Sequence, residues 1–438
     1  MSYSREQNGT QLKFVSLLKE EVCPAAGCTA PVAVGLAVAK CCEALGGAAR
    51  IRIIQVTVSP GIFKNGYSVG IPNSSEKGNL FGAALGAVCG DPSLGLAVFS
   101  GVTPEDIEKA RALIQRGCVC VSCDPSRRGV YVEAAVICEG DECRTVMNTH
   151  SNIVRVILNG RTVFEQEGGD THTETKVPQD LDIRAIVSFA ESVPFGEIAF
   201  LLNGVRMNMA LARDGLTQPY GLSVGKSLRK IFGERVNYMP ELRARMLVSA
   251  AADARMGGSP FPAMSTFGSG NQGITAILPV AVLAADLHAD EEKTARALAV
   301  SHLVTWYVKR YIGRISSMCL CCVAAGAGAG CAVTWLRGGS VRAMEDCVNN
   351  LLASLAGMIC DGAKGSCALK MGIAAEEAYR ASELAMLCSS AGSDDGIIDD
   401  DPSVTLRNME RITQATRDSI DDHIVDIINE KKQITARL

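Results

Sequence analysis

The apolar periodicity of this 438-residue chain changes twice, and those two changes constrain the fold more than any other feature. Arg50 to Val58 alternates apolar and polar residues as a half-buried strand does. The same alternation returns over Cys118–Cys123, Gly129–Cys138, Cys143–Thr149 and Asn152–Leu158, with a hairpin signal at Asn159-Gly160. Helical stretches Asn79–Val88 and Pro104–Gln115 are interleaved with these strands. Ahead of them, Leu12–Glu21 and Val32–Leu45 read as helices, the second with Thr29 as its N-cap and Pro31 in its first turn. A polar, glycine-containing linker covers Glu165–Asp180, and beyond Leu181 nearly everything carries helical spacing. The run starts at Ile183–Ser192, passes through Glu241–Arg255, Ile274–Leu287, Cys319–Leu336 and Val341–Ile359, and ends at Pro402–Ile427. The expected class is α+β. A mostly helical body is formed by both chain ends, residues 1–46 and 176–438, with an α/β mixed-sheet domain over 47–175 inserted near the N-terminus.

Eighteen cysteines are the second constraint. The start Met-Ser-Tyr-Ser-Arg-Glu lacks the basic residues, apolar run and cleavage site of a signal peptide, so a reducing cytoplasm is expected. There, cysteines serve as ligands, catalysts or small core residues. Cys41, Cys42, Cys89, Cys138 and Cys347 sit in apolar patterns and are expected in the core. The formal charge is 43 − 47 = −4 with both signs dispersed, and no basic face offers itself to nucleic acid. Ile315–Leu336 carries no charge, but it is rich in Gly, Ala, Ser and Cys and reads as a buried core helix, not a membrane span.

Three features carry chemistry. Cys319-Leu-Cys321-Cys322 and Cys360-Asp-Gly-Ala-Lys364-Gly-Ser-Cys367 lie one helical hairpin apart, a spacing that brings their thiols to one side of a bundle. Gly27-Cys28-Thr29-Ala30-Pro31 adds a third segment. Such thiols suit a metal or iron–sulfur site, and they match no paired CxxC zinc pattern. The second feature is the Gly/Ser/Pro-rich stretch Met256–Gly273, which runs into an apolar helix. Ser269, Gly270, Asn271 and Gln272 there form either a cradle for a substrate carboxylate or an ordinary connection. The third is His150 beside a strand, together with Lys64-Asn65 after the first strand, as candidate base or acid. His172, His288, His302 and His423 are read as structural.

Assembled, these residues resemble the L-cysteine desulfidase family, which is related to the α-domain of iron–sulfur L-serine dehydratases. The resemblance runs through Gly27-Cys28-Thr29, Lys64-Asn65 with Val69-Gly-Ile-Pro72, and His150-Ser-Asn-Ile-Val154. It continues in Gly268-Ser-Gly-Asn-Gln-Gly273, Cys319-x-Cys321 leading into Ala324-Ala-Gly326, and Met358-Ile-Cys-Asp-Gly-Ala-Lys364. It departs at Ala30, where desulfidases usually carry Glu, at Ser59-Pro60-Gly61, which lacks the usual Asn, and at Ser151, where Thr is common. The resemblance implies a 4Fe–4S cluster with one open iron, held by Cys28, Cys319 and Cys360, with Cys321 and Cys367 in reserve, and no pyridoxal phosphate. It also implies β-elimination of L-cysteine to sulfide, ammonia and pyruvate. Lys64, His150 and Lys364 are the candidate bases, and Asn65 with residues 269–272 would bind substrate. The alternatives are an iron–sulfur L-serine dehydratase, or a non-catalytic metal- or redox-binding protein. The lack of a C-terminal cysteine (the chain ends Thr-Ala-Arg-Leu) and the Asp-Gly-Ala-Lys form after Cys360 favour the desulfidase. A helical body of this size is compatible with a homodimer.

Overall fold

The computed structural model describes residues 2–25, 27–47, 51–166, 181–313 and 316–435. Most of the expected linker, with His172, lies outside the described residues. The chain opens with helix α1 (Ser2–Glu21), the two-residue strand β1 (Pro24–Ala25) and helix α2 (Thr29–Ala44). Strand β2 (Ile51–Val58) is followed by helices α3 (Pro60–Asn65), α4 (Gly78–Cys89) and α5 (Pro104–Gln115). Strands β3 (Val119–Cys123), β4 (Val132–Cys138), β5 (Glu142–Met147), β6 (Ile153–Leu158) and β7 (Arg161–Glu165) complete a six-stranded mixed sheet of order β3-β2-β4-β5-β6-β7. Only β2 and β3 run parallel. The hairpin before β7 turns on Asn159 and Gly160, whose φ values of 50° and 76° are those a tight hairpin requires.

The register of this sheet matters for the site. Val58 pairs with Val132, Val132 with Met147, and Met147 with Ile153. The start of α3 and the β5–β6 turn that carries His150 therefore lie at one end of the sheet.

The rest is helical. It comprises α6 (Ile183–Ser192), α7 (Phe195–Ile198), α8 (Leu202–Thr217), α9 (Val224–Phe232), α10 (Pro240–Met256), the short strand β8 (Ala263–Met264), and α11 (Gly270–Asp286). Then follow α12 (Glu291–Ile312), α13 (Leu320–Leu336), α14 (Val341–Leu355), α15 (Cys367–Met386) and α16 (Pro402–Thr435). Helix α13 is the uncharged segment flagged above. It is buried on nearly every side by α11, α12, α14 and α15, as a helix apolar all round must be. At Gly328 its backbone comes so close to α12 that a Cβ would run into Ser301 and Thr305. Among the described residues, no single helix is long and apolar enough to cross a membrane.

Four local expectations change. Helix α1 joins the helical body, but α2 lies on α4 and on the face of β4 and β5, because its Val and Ala residues fit the sheet surface. Only the N-terminus of α2 points to the helical body. Its N-cap is Cys28, with extended backbone, and not Thr29. Helix α11 begins at Gly270 and not Ile274, since the Ser269 hydroxyl accepts the Gln272 N–H as a cap. Helix α14 stops at Leu355 and not Ile359. Met318 and Ile359 form an extended bridge, with Cys319 N–H bound to Met358 O (2.8 Å) and Cys360 N–H to Ser317 O (2.7 Å).

Candidate active site

That short extended pairing places Cys319 beside Cys360, and it stands where several helices begin. Cys319 is the N-cap of α13, with Cys321 in the first turn. Cys367 is the first residue of α15, and Cys28 is the N-cap of α2. The Cys319 and Cys322 sulfurs are 3.5 Å apart. The Cys28 thiol lies 3.9 Å from the Asn65 carbonyl oxygen, and the Cys367 thiol 3.7 Å from that of Gly362. Segments remote in sequence thus converge on one group: Cys28, Cys319, Cys321, Cys322, Cys360 and Cys367.

Lys64, one of the candidate bases, is engaged inside the fold. It is 2 % exposed, its ammonium pairs with Asp421 of α16 at 2.5 Å, and it donates to the Cys360 carbonyl at 3.0 Å. So engaged, Lys64 holds the Cys360 backbone in place. Lys364 is likewise committed, to Asp361 at 2.6 Å and to the Gly362 carbonyl at 3.1 Å. Lys370 shares Asp361 and also donates to the Ile359 carbonyl. Burial opposes ionisation of Asp361, but the two lysines bring its pKa down to about 2. Gly362 makes this loop possible. Its φ is +100°, and a Cβ there would be driven into the Lys64 carbonyl oxygen. Gly362→Ala should cost more than about 2 kcal/mol, read as a lowered melting temperature of the metal-free protein.

The residue that the sequence reading missed is Arg255, in the last turn of α10 and 6 % exposed. Its guanidinium donates to Asn271 Oδ1 (2.9 Å) and to the Gly27 carbonyl oxygen. It feels the charges of Cys28, Cys321 and Cys367, so it joins the thiol group to the 269–272 turn. Gly270 lets the guanidinium lie against the start of α11, since a Cβ there would stand 2.5 Å from Nε. The one available signal was an arginine ending the Ala-rich run Ser249–Met256, whose helix is buried almost all round. Gln272 is buried next to Asn271, and its side-chain oxygen has no partner among the described residues. His150 is half-buried in the β5–β6 turn, where desolvation lowers its pKa to about 4 and keeps the ring neutral at pH 7.

The donor set fits a thiolate-bound iron–sulfur cluster. Burial pushes the Cys28 and Cys360 thiols up and that of Cys367 to about 11, and Cys321 and Cys322 rise through their hydrogen bonds to Cys319 and through burial. Those same bonds pull Cys319 well below an ordinary thiol, and Lys370 adds to the effect. Metal binding deprotonates such thiols outright. Lys64, Lys364, Lys370 and the helix N-termini of α2, α13 and α15 supply the positive surroundings that a set of thiolates needs. Among the described residues no three His, Cys, Asp or Glu side chains close on one point as a single ion requires. A polynuclear cluster takes its thiolates from corners spread farther apart.

Comparison with known proteins bears on the family of the chain. The model of the serine dehydratase alpha chain matches residues 95–426, which include every site segment except those of Cys28 and Lys64-Asn65. A UPF0597 protein of Oleidesulfovibrio alaskensis is 39% identical over 429 residues, 96% of this chain and 98% of its own length. One from Caldanaerobacter subterraneus is 39% identical over 428 residues, covering 96% and 99%. A third, from Clostridium botulinum, is 37% identical over 419 residues, covering 95% and 96%.

Proposed function

We infer from one premise, that the chain belongs to the serine dehydratase alpha chain family, that it is a lyase acting on a small β-substituted α-amino acid. We propose L-cysteine as that amino acid and β-elimination of sulfide as the reaction. The observation that carries this reading is the convergence of Cys28, Cys319, Cys321, Cys360 and Cys367 beside the buried Arg255 and the N-terminus of α11.

A 4Fe–4S cluster held by Cys28, Cys360 and one of Cys319 and Cys321, with Cys367 in reserve, would supply a Lewis-acidic iron for the β-substituent. The protein does the rest. Lys64 fixes the Cys360 backbone, and the paired segments around Met318 and Ile359 fix Cys319 against it. The turn Ser269–Gln272 receives the substrate carboxylate, and Asn65, at the end of α3 with its carbonyl 3.9 Å from the Cys28 thiol, binds the substrate beside the cysteines. His150, kept neutral by its surroundings, takes the α-proton. The C–H electron pair becomes the Cα–Cβ double bond, and the C–S pair leaves with sulfur as hydrosulfide. The 2-aminoacrylate so formed tautomerises to the imine, which water hydrolyses to pyruvate and ammonia.

The family match itself favours a second reading, elimination of water from L-serine. One anaerobic experiment separates the two. Protein reconstituted with iron and sulfide, freed of excess reagent and given L-cysteine should release sulfide and pyruvate in equal amounts, and faster than it makes pyruvate from L-serine. Pyruvate from serine with no sulfide from cysteine would replace the first reading by the second. Iron-loaded protein that makes neither product would leave a metal-storage role.

A further inference from the structure

Arg255 is a buried cation with no carboxylate partner among the described residues. Both of its described hydrogen bonds go to uncharged oxygens, Asn271 Oδ1 and the Gly27 carbonyl, and Nε has no partner among the described residues. Arginine does not shed its proton under such pressure, so a charge left this way calls for an anion. The thiols of Cys28, Cys321 and Cys367 act on it through space, but none hydrogen bonds to it among the described contacts.

The guanidinium lies against the first turn of the 17-residue helix α11. Two N–H groups of that turn are already used. Ser269 Oγ takes the Gln272 N–H at 3.4 Å, and the Ser269 carbonyl takes the Gly273 N–H at 3.1 Å. The N–H groups of Gly270 and Asn271, first in the helix, have no partner among the described residues. Unpaired donors and a fixed positive charge therefore meet at one place.

We propose that Arg255 Nε–H and the N–H groups of Gly270 and Asn271 seat the α-carboxylate of the substrate, which makes Arg255 the residue that restricts this site to free α-amino acids. The inference rests on the proposed function and sharpens it. Amides, amines such as cysteamine, and C-terminally extended peptides lack the charge that answers the guanidinium, and the site rejects them. Asn271 Oδ1 and the Gly27 carbonyl hold the guanidinium plane, so the same arginine ties the Cys28 turn to the carboxylate seat.

The test uses L-alanine and L-alaninamide, which share the side chain and α-amino group, differ in having a carboxylate or a neutral amide, and have no leaving group. Calorimetric titration of the anaerobically reconstituted protein should show L-alanine binding about 10- to 100-fold more tightly than the amide, as loss of a charged hydrogen-bond partner implies. Arg255→Gln should bring that ratio near one and raise KM for L-cysteine by a similar factor, with iron per chain unchanged, and Arg255→Lys should restore part of the preference. Gly270→Ala, which presses a Cβ on the guanidinium while leaving its charge, gives an independent variant with the same expected direction. A preference that survives both Arg255→Gln and Gly270→Ala overturns the inference. So does a loss of iron that accompanies loss of the preference, since the guanidinium would then serve the thiolates. Wild-type protein that releases sulfide from cysteine yet does not tell alanine from its amide overturns this inference alone. Wild-type protein that does neither overturns the proposed function as well.

Discussion

Cys360→Ala is expected to fold and to lose its iron. The thiol is half-buried, so removing one sulfur costs on the order of 1 kcal/mol of packing, and the backbone bonds of Cys360 to Ser317 and Lys64 do not involve the side chain. After anaerobic reconstitution, iron affinity should fall by more than about 100-fold, beyond the effect of losing a supporting residue, and sulfide release should fall with it. Iron and acid-labile sulfide per chain, read beside the melting temperature, separate ligand loss from unfolding. Full iron with full sulfide release would remove Cys360 from the site. The same assay on Cys319→Ala and Cys321→Ala identifies the third ligand. Cys321 shares with Cys28 the charge of Arg255, whereas Cys319 faces Lys370.

The second large effect belongs to Lys64 and Asp421. The pair is buried, with side-chain exposures of 1% and 8%, so Lys64→Met leaves a carboxylate without its counter-charge. Breaking such a pair from one side typically costs about 3–5 kcal/mol, whereas replacing both partners by apolar residues is often neutral. Lys64→Met should therefore lower the denaturant midpoint strongly, and the double variant Lys64→Met with Asp421→Leu should recover most of the loss. Iron loading should stay low in the double variant, because the Cys360 carbonyl still lacks its donor. A single variant as stable as wild type would show the pair to be ornamental. A double variant with normal iron would show that Lys64 does not position Cys360.

Local periodicity made the strands and most helices legible, from the alternation of β2 to the limits of α6. The thiol segments were legible too, since a helical hairpin joins Cys319 to Cys360 and the family motifs added Cys28. Partners were not. Asp421 stands 357 residues from Lys64, and Arg255 stands 228 from Gly27, so neither pairing leaves a local trace. Without its carboxylate in view, Lys64 looked like a base. Arg255 entered the sequence reading only as the last residue of the helical stretch Glu241–Arg255, where a basic residue is ordinary. Helix α2 was assigned to the wrong layer because an apolar helix of Ala and Val fits a sheet face as well as a helical bundle. The end of α14 was overrun because its apolar spacing continues to Ile359, while the backbone beyond Leu355 is claimed by pairing with the segment before α13.

The clamp between α3 and α16 also sets an order of events during synthesis. A ribosome releases the chain from its N-terminus, so Cys28 and Lys64 emerge while Cys360 and then Asp421 are still unmade. Until the last helix is free, the carbonyl of Cys360 and the ammonium of Lys64 lack the carboxylate that fixes them. A nascent chain thus presents Cys28 long before the Cys360 segment it faces is anchored. A chain cut short before Asp421 would carry every cysteine of the site and lack the carboxylate that answers Lys64 beside Cys360.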